Sequence, residues 1–382
     1  MTGRPRILQV ISGLDIGGAE LTLYRLAAAL RERYEVVVVN LGASGVLEER
    51  FQSMGTTVHH CGLKQRPLAG FRLLGRIIRE FQPDLINSWM YHANLVASVV
   101  RRWGGSSAPL VWSVRHSLQS FQSEKWSLRQ IIRAGGYGIW HPDVVTFNAF
   151  SGRDSHLRFG YGRYPTQIIV NGVDLHHFTR SVADRQLFRQ QLDFSEDVML
   201  VGYVGRFHAQ KDLPTLIACF SAIHRRLPRT RFVLVGPSLV NGNSVLDGLL
   251  GNANLSALVR CLGPREDVTA VYSGLDLLIL SSLTGEGTAN VLLEAMACKV
   301  PCVTTDAGDC ARLVADARFV APRSDSAALA DRAIAVLELD LHTRDELGVM
   351  LRRRMLEQYD QVGAEAAYIR LYDGLLERKE GG

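Results

Sequence analysis

The sequence predicts an α/β fold of two Rossmann-like domains. Three observations carry this expectation. The chain has 382 residues, the length of about two domains. Short runs rich in Val, Ile and Leu alternate with longer amphipathic segments, as in parallel strands joined by crossover helices. The alternation restarts after the turn Asn171-Gly172-Val173-Asp174. The expected domains are therefore 1–174 and 175–360, followed by a terminal helix in 361–382.

Residues 6–12 (RILQVIS) read as the opening strand. A glycine loop, 13–20 (GLDIGGAE), leads into an apolar helix at 21–30. Gly17 and Gly18 would let the backbone approach a phosphate or sugar. A tight turn that needs glycine for backbone reasons is the plainer alternative. The spacing is not GxGxxG, and the strand at 36–39 ends in Asn40 with no acidic residue for a ribose. A nicotinamide dinucleotide is therefore disfavoured. Further strands are expected at 57–61, 85–89, 110–114, 144–147 and 167–170, with helices at 68–81 and 93–102. His92 and His116 fall just past strands, at the carboxyl edge where open parallel sheets bind ligands. A core-edge or surface histidine is the plainer reading of each.

The second half opens with a strand at 198–204 that ends in Gly205-Arg206-Phe207. Lys211 and Asp212 then begin a helix, 213–225. A strand at 232–235 closes in Gly236-Pro237, the region 238–254 reads as loop-rich, and a strand at 259–263 precedes Pro264-Arg265. The strand 275–280 runs into 281–299 (SSLTGEGTANVLLEAMACK). There Glu286 and Glu294 flank the start of an apolar helix expected from 288 to 298. Free backbone N–H groups at a helix start attract phosphate. A carboxylate on each side can accept hydrogen bonds from hydroxyls. A phosphate with a hydroxylated ring at each end describes a nucleotide sugar. The plainer alternative is one capping glutamate and one solvated glutamate. Against it, Glu294 interrupts the apolar run 291–297, where packing alone would favour another apolar residue. Strands at 301–306 and 319–322 and helices at 326–337, 344–358 and 364–377 complete the reading, with a frayed tail from 377.

The stretch EGTANVLLEAMA, 286–297, resembles the E-x7-E signature of family 4 glycosyltransferases. These are retaining enzymes of the GT-B fold, two Rossmann-like domains facing each other across a cleft. Ala289 stands where many members have proline. The resemblance implies roles residue by residue. Glu286 would hold donor-sugar hydroxyls, helped by backbone N–H groups of Gly287, Thr288, Ala289 and Asn290. Glu294 would hold the ribose, and Arg206 and Lys211 the diphosphate. Gly236 and Arg265 would line the base pocket. Gly17 and Gly18 would lie across the cleft, near the donor phosphates and the acceptor, and His116 on the acceptor side. The implied catalytic set is Glu286, His116, Arg206 and Lys211. The terminal helix would cross back onto the first domain.

Composition narrows the partners. A net charge of +5 without a Lys/Arg tract suits an anionic substrate and argues against nucleic acid. The six cysteines form no CxxC pair and no metal-ligand spacing, so free buried thiols are expected. No Asp-x-Asp occurs. No metal and no cofactor are expected; a UDP- or GDP-linked sugar would be the co-substrate, and a glycan or lipid-linked molecule the acceptor. No apolar run reaches the ~18 residues of a membrane span, and no leader peptide is evident. The expected location is cytoplasmic. Two basic amphipathic stretches, 64–81 and 125–140, make peripheral contact with an anionic membrane a secondary expectation. Two alternatives to a transferase are a sugar-nucleotide epimerase of the same fold and a non-catalytic sugar-nucleotide-binding protein.

Overall fold

Runs such as Glu35–Asn40 (EVVVVN) carry apolar residues on both faces, which suits a strand covered by helices on both sides. A computed structural model describes residues 3–15, 17–118 and 121–380. It contains two parallel sheets. The first has β1 (Arg6–Ile11), β2 (Glu35–Asn40), β3 (Thr57–His60), β4 (Leu85–Trp89), β5 (Leu110–Val114), β6 (Val144–Phe147) and β7 (Thr166–Ile168). Its order is 3-2-1-4-5-6-7. The second has β8 (Met199–Val204), β9 (Thr230–Val235), β10 (Val259–Gly263), β11 (Leu277–Leu280), β12 (Cys302–Thr305) and β13 (Val320–Ala321). Its order is 10-9-8-11-12-13.

Each order reverses beside its first strand. In the first sheet β1 lies between β2 and β4, with Ile7 opposite both Val36 and Leu85. In the second β8 lies between β9 and β11, with Val201 opposite both Phe232 and Leu277. The crossovers leave such a point in opposite directions and open a crevice at the carboxyl edge.

The compact units are Met1–Asn171 with Ala364–Gly382, and Gly172–Gly363. The first boundary falls three residues before the expected one, because Val173 bridges to Asp360 within the second unit. The last helix, Gln361–Glu380, brings Tyr368, Tyr372 and Leu375 into the same core as Ile7, Leu23 and Leu85. The Tyr372 hydroxyl accepts from Gln9 Nε2 at 3.3 Å and Asn87 Nδ2 at 2.6 Å, which satisfies two buried amides of β1 and β4. The expected fraying from 377 is corrected: the helix continues to Glu380, while Gly381 and Gly382 lie outside the described residues. The loop-rich region 238–254 also holds a helix that the sequence reading did not place. Ser244–Asn252 is helical, with Asn243 Oδ1 accepting from Val245 and Leu246 N–H groups. Among the described residues, no helix is long and apolar enough to cross a membrane.

Candidate active site

Arg206, Gly236, Arg265, Glu286 and Gly308 each follow a different strand of the second sheet, so parallel pairing places all five at its carboxyl edge. The loops after β8 and β11 meet at the reversal point. The Leu283 N–H donates to the Gln210 carbonyl at 2.8 Å, and Ser281 Oγ to the Lys211 carbonyl at 2.8 Å. Asp212, at φ +46, caps the Leu213–Arg226 helix by accepting from Thr215 N–H, which fixes the residue beside Lys211. Lys211 Nζ donates to Glu286 Oε1, and Ser282 Oγ donates to the same oxygen. Glu286 is 8% exposed, so its carboxylate is set by these donors rather than by water. Thr305 Oγ1, on β12, donates to the Ser282 carbonyl at 2.5 Å and ties a third strand end to the group.

Gly308 completes this corner. Its φ is +59, and a Cβ there would lie 1.7 Å from the Glu286 carbonyl oxygen. Only glycine lets the loop after β12 close against Glu286. From sequence, the family resemblance puts the loop 307–309 near the donor, with a simple turn as the plainer reading of this glycine.

The helix expected from 288 begins at Asn290 and ends at Ala297. Ala289 occupies the N-cap and has no side chain to close it. The N-cap residue therefore supplies no side-chain acceptor there, as at the Gly18–Leu30 and Met90–Trp103 helices. One turn in, Glu294 Oε2 accepts from the hydroxyl of buried Tyr272 at 2.9 Å. Arg206 is exposed and makes no ion pair among the described residues. Its backbone is held from below by the Tyr203 hydroxyl, which donates to the Arg206 carbonyl at 3.3 Å.

Gly236 and Arg265 sit at strand ends but carry structural work. Gly236 has φ +140, and a Cβ would lie 2.0 Å from the Gly205 carbonyl oxygen, so the ends of β8 and β9 pack only around glycine. Arg265 makes a two-pronged pair with Asp267, at 2.7 and 2.5 Å, with its guanidinium over the Phe188 ring. That bond raises the arginine's pKa and lowers the aspartate's. Cys310 lies beside Glu286 electrostatically and is fully buried; burial first, then the Glu286 charge, pushes its thiol well up.

Gly17, Gly18 and His116 belong to the other sheet's carboxyl edge. Gly17 caps the Gly18–Leu30 helix at φ −154, extended backbone that any residue adopts. A Cβ there would meet only the end of the Glu20 side chain, so the turn does not demand glycine. His116 follows β5; its Nδ1 faces the Tyr91 hydroxyl at 3.3 Å and its Nε2 faces Glu124 at 3.4 Å. Burial lowers its pKa, and Glu124 opposes the shift. Its neighbour Arg115 was not singled out from sequence. Its guanidinium donates to Thr22, the Tyr368 hydroxyl and Asn171, and lies over the Trp89 ring. The signal available was the basic pair Arg115-His116 at one strand end. Among the described residues, no cluster of three His, Cys, Asp or Glu side chains suits a metal ion.

A family model described as "Glycosyltransferase Family 4" matches residues 16–177, and one described as "Glycosyl transferases group 1" matches 199–339. N-acetyl-alpha-D-glucosaminyl L-malate synthase of Bacillus anthracis is 25% identical over 380 residues, covering 96% of this chain and 97% of that protein. The structure of Anabaena Alr3699/HepE with UDP superposes with TM-score 0.84 at 22% identity, over 97% of this chain and 100% of that one. Sucrose-phosphate synthase from Thermosynechococcus elongatus gives TM-score 0.79 at 20% identity, over 98% and 100%. The two matched segments, the paired glutamates and the two reversed sheets agree, and the chain belongs to the family 4 glycosyltransferases of GT-B fold.

Proposed function

We propose that this glycosyltransferase transfers a sugar, with retention of anomeric configuration, from a UDP- or GDP-linked donor to an acceptor hydroxyl. The reading rests on one observation: Lys211 and Glu286 pair across the reversal point of the second sheet, beside an exposed Arg206 and the start of the Asn290–Ala297 helix. As the glycosidic bond breaks, negative charge grows on the nucleoside diphosphate. Arg206, Lys211 and the Asn290–Ala297 helix start would stabilise that charge from fixed positions. Glu286 would accept from donor-sugar hydroxyls, with the backbone of Gly287, Thr288, Ala289 and Asn290 alongside, and Glu294 would accept from the ribose. A donor phosphate oxygen would help take the acceptor proton on the same face of the sugar. Neither metal nor cofactor enters this scheme.

The first domain would hold the acceptor, a glycan or lipid-linked molecule, near Gly17, Gly18 and His116. That assignment places the enzyme in polysaccharide or glycolipid synthesis. The Anabaena relative was also solved with UDP-glucose, which puts UDP-hexoses first among donors to test. Peripheral contact with the inner face of an anionic membrane is part of the proposal. Trp103, Ile139 and Trp140 line one open groove with Arg101 and Arg102, and Trp103 is 80% exposed. Aromatic side chains with flanking arginines suit a bilayer interface. Co-sedimentation with phosphatidylglycerol vesicles, lost in Trp103→Ala, checks that element.

The deciding experiment supplies UDP- and GDP-hexoses with candidate acceptors and reads the product by NMR. The expected product keeps the donor's anomeric configuration and forms only with acceptor present. An inverted product would refute retention, and an isomerised sugar nucleotide without acceptor would favour the epimerase.

A further inference from the structure

His116 stands at the end of a buried hydrogen-bonded chain whose proton directions can be deduced. His156 is fully buried, between the rings of Tyr91, Phe147 and Tyr161. Its Nδ1 lies 2.6 Å from the Gly152 carbonyl oxygen, and its Nε2 lies 2.6 Å from the Tyr91 hydroxyl. A carbonyl oxygen only accepts, so His156 Nδ1 carries a proton. Burial lowers the pKa of this ring to about 4, so it is neutral near pH 7 and its Nε2 is bare. A bare nitrogen accepts, so the single Tyr91 proton points at His156. Tyr91 then offers only lone pairs to His116 Nδ1, 3.3 Å away. For that contact to be a hydrogen bond His116 Nδ1 donates, and in the neutral ring His116 Nε2 is then bare. The Glu124 carboxylate lies 3.4 Å from that nitrogen.

The backbone points the same way. Met90, immediately before Tyr91, has φ +71 at the end of β4, beside the reversal point of the first sheet. A bulky residue in that region is strained and persists where the surrounding structure imposes it. The turn delivers Tyr91 between the two histidines.

We propose that Tyr91 and His156 are positioning residues that hold His116 in its Nδ1–H tautomer. His116 Nε2 and Glu124 then form a pair of acceptors facing one another, a site that takes a hydroxyl donor of the acceptor substrate. This deepens the reading of His116 as an acceptor-side residue and rests on it. It differs from an ordinary buried histidine network in one respect: His156 controls a nitrogen it does not touch.

The experiment is ¹⁵N imidazole NMR of the full chain, wild type against Tyr91→Phe, His156→Phe and His156→Gln, at a pH where both rings are neutral. Wild type should show both rings as Nδ1–H. In Tyr91→Phe, which removes one oxygen and keeps the ring, His116 should move predominantly to Nε2–H, donating to Glu124. In His156→Phe the freed Tyr91 proton should turn to His116 Nδ1 and produce the same change. His156→Gln offers an amide oxygen to Tyr91 and should restore the wild-type state. Turnover with acceptor should fall roughly tenfold in the first two variants, the worth of about one hydrogen bond, with donor KM unchanged. A wild-type His116 in the Nε2–H form, or one indifferent to Tyr91→Phe, would overturn the proposal. Full activity in His116→Ala would instead sink the acceptor-side reading while the tautomer result still judged the relay.

Discussion

The two reversal points are built alike and furnished differently. At the second sheet, cation, carboxylate and helix start are supplied by two short loops, 205–212 and 281–290, each directly after its strand. At the first sheet, Tyr91, His116 and His156 come from three elements, the histidines lying 25 and 65 positions beyond Tyr91. The proposed function would explain the difference. A nucleoside diphosphate has fixed charge and shape, and strand ends with a helix start match it locally. An acceptor hydroxyl needs one lone pair aimed correctly, and aim is supplied by packing from remote residues.

The largest effect that could break this comparison is at Glu286. Glu286→Gln keeps a partner for Lys211 but removes the charge, and should lower turnover by about 10²-fold or more while the protein stays folded. Unchanged turnover would make the Lys211–Glu286 pair merely structural. The opposite edge of the same sheet supplies the contrast. There Asp276 accepts from Arg189 at 2.6 Å, Arg185 at 3.0 Å and the Leu200 N–H at 2.8 Å, and Arg189 is 1% exposed. Asp276→Ala strands a buried guanidinium and should cost about 3–5 kcal/mol in denaturant unfolding. Its effect on turnover per folded molecule should be small, the reverse of Glu286→Gln.

A third effect belongs to the first sheet and to pH. His156 has a pKa near 4 in the folded chain against 6.5 ordinarily. Below 6.5 the unfolded chain takes the proton first, so the stability this group contributes is complete above 6.5. It is lost as pH falls towards 4, up to about 3 kcal/mol. Urea unfolding of wild type and His156→Gln at pH 7 and pH 4.5 checks it: the wild type should lose more. Equal losses would mean the ring is not held neutral.

The smallest stability effect is at Gly17. Its extended backbone predicts that Gly17→Ala changes unfolding by less than about 1 kcal/mol. A fall in turnover without a fall in stability would then mark the Gly18–Leu30 helix start as functional. A large loss of stability would restore the tight-turn explanation.

The alternation of apolar runs made both sheets legible, because parallel strands buried on two faces have few other appearances in sequence. Arg206, Lys211 and Glu286 stood out because each lies in a short loop just after a strand, and Glu294 because it interrupts the apolar run 291–297; their roles are those the family resemblance implies. The need for Gly308 was not legible, since it comes from the Glu286 carbonyl, which meets it only after folding. The Arg265–Asp267 pair was readable as opposite charges two positions apart, and it explains why that arginine is already engaged. The helix Phe150–Leu157, which carries His156, is short and polar (FSGRDSHL) and leaves little periodic signal. The helix Ser244–Asn252 was hidden by Gly248 and Gly251 within it.

Thermal unfolding of wild type and Arg206→Ala with UDP-, GDP- and ADP-sugars, without added metal, asks whether the second reversal point is a nucleotide-sugar site. A donor at about 100 times its Kd stabilises the folded state by about 2.7 kcal/mol. One nucleotide family should therefore raise Tm by several degrees, and Arg206→Ala should lose most of that rise. No rise with any of the three, or an equal rise in Arg206→Ala, would contradict the assignment of this edge to the donor.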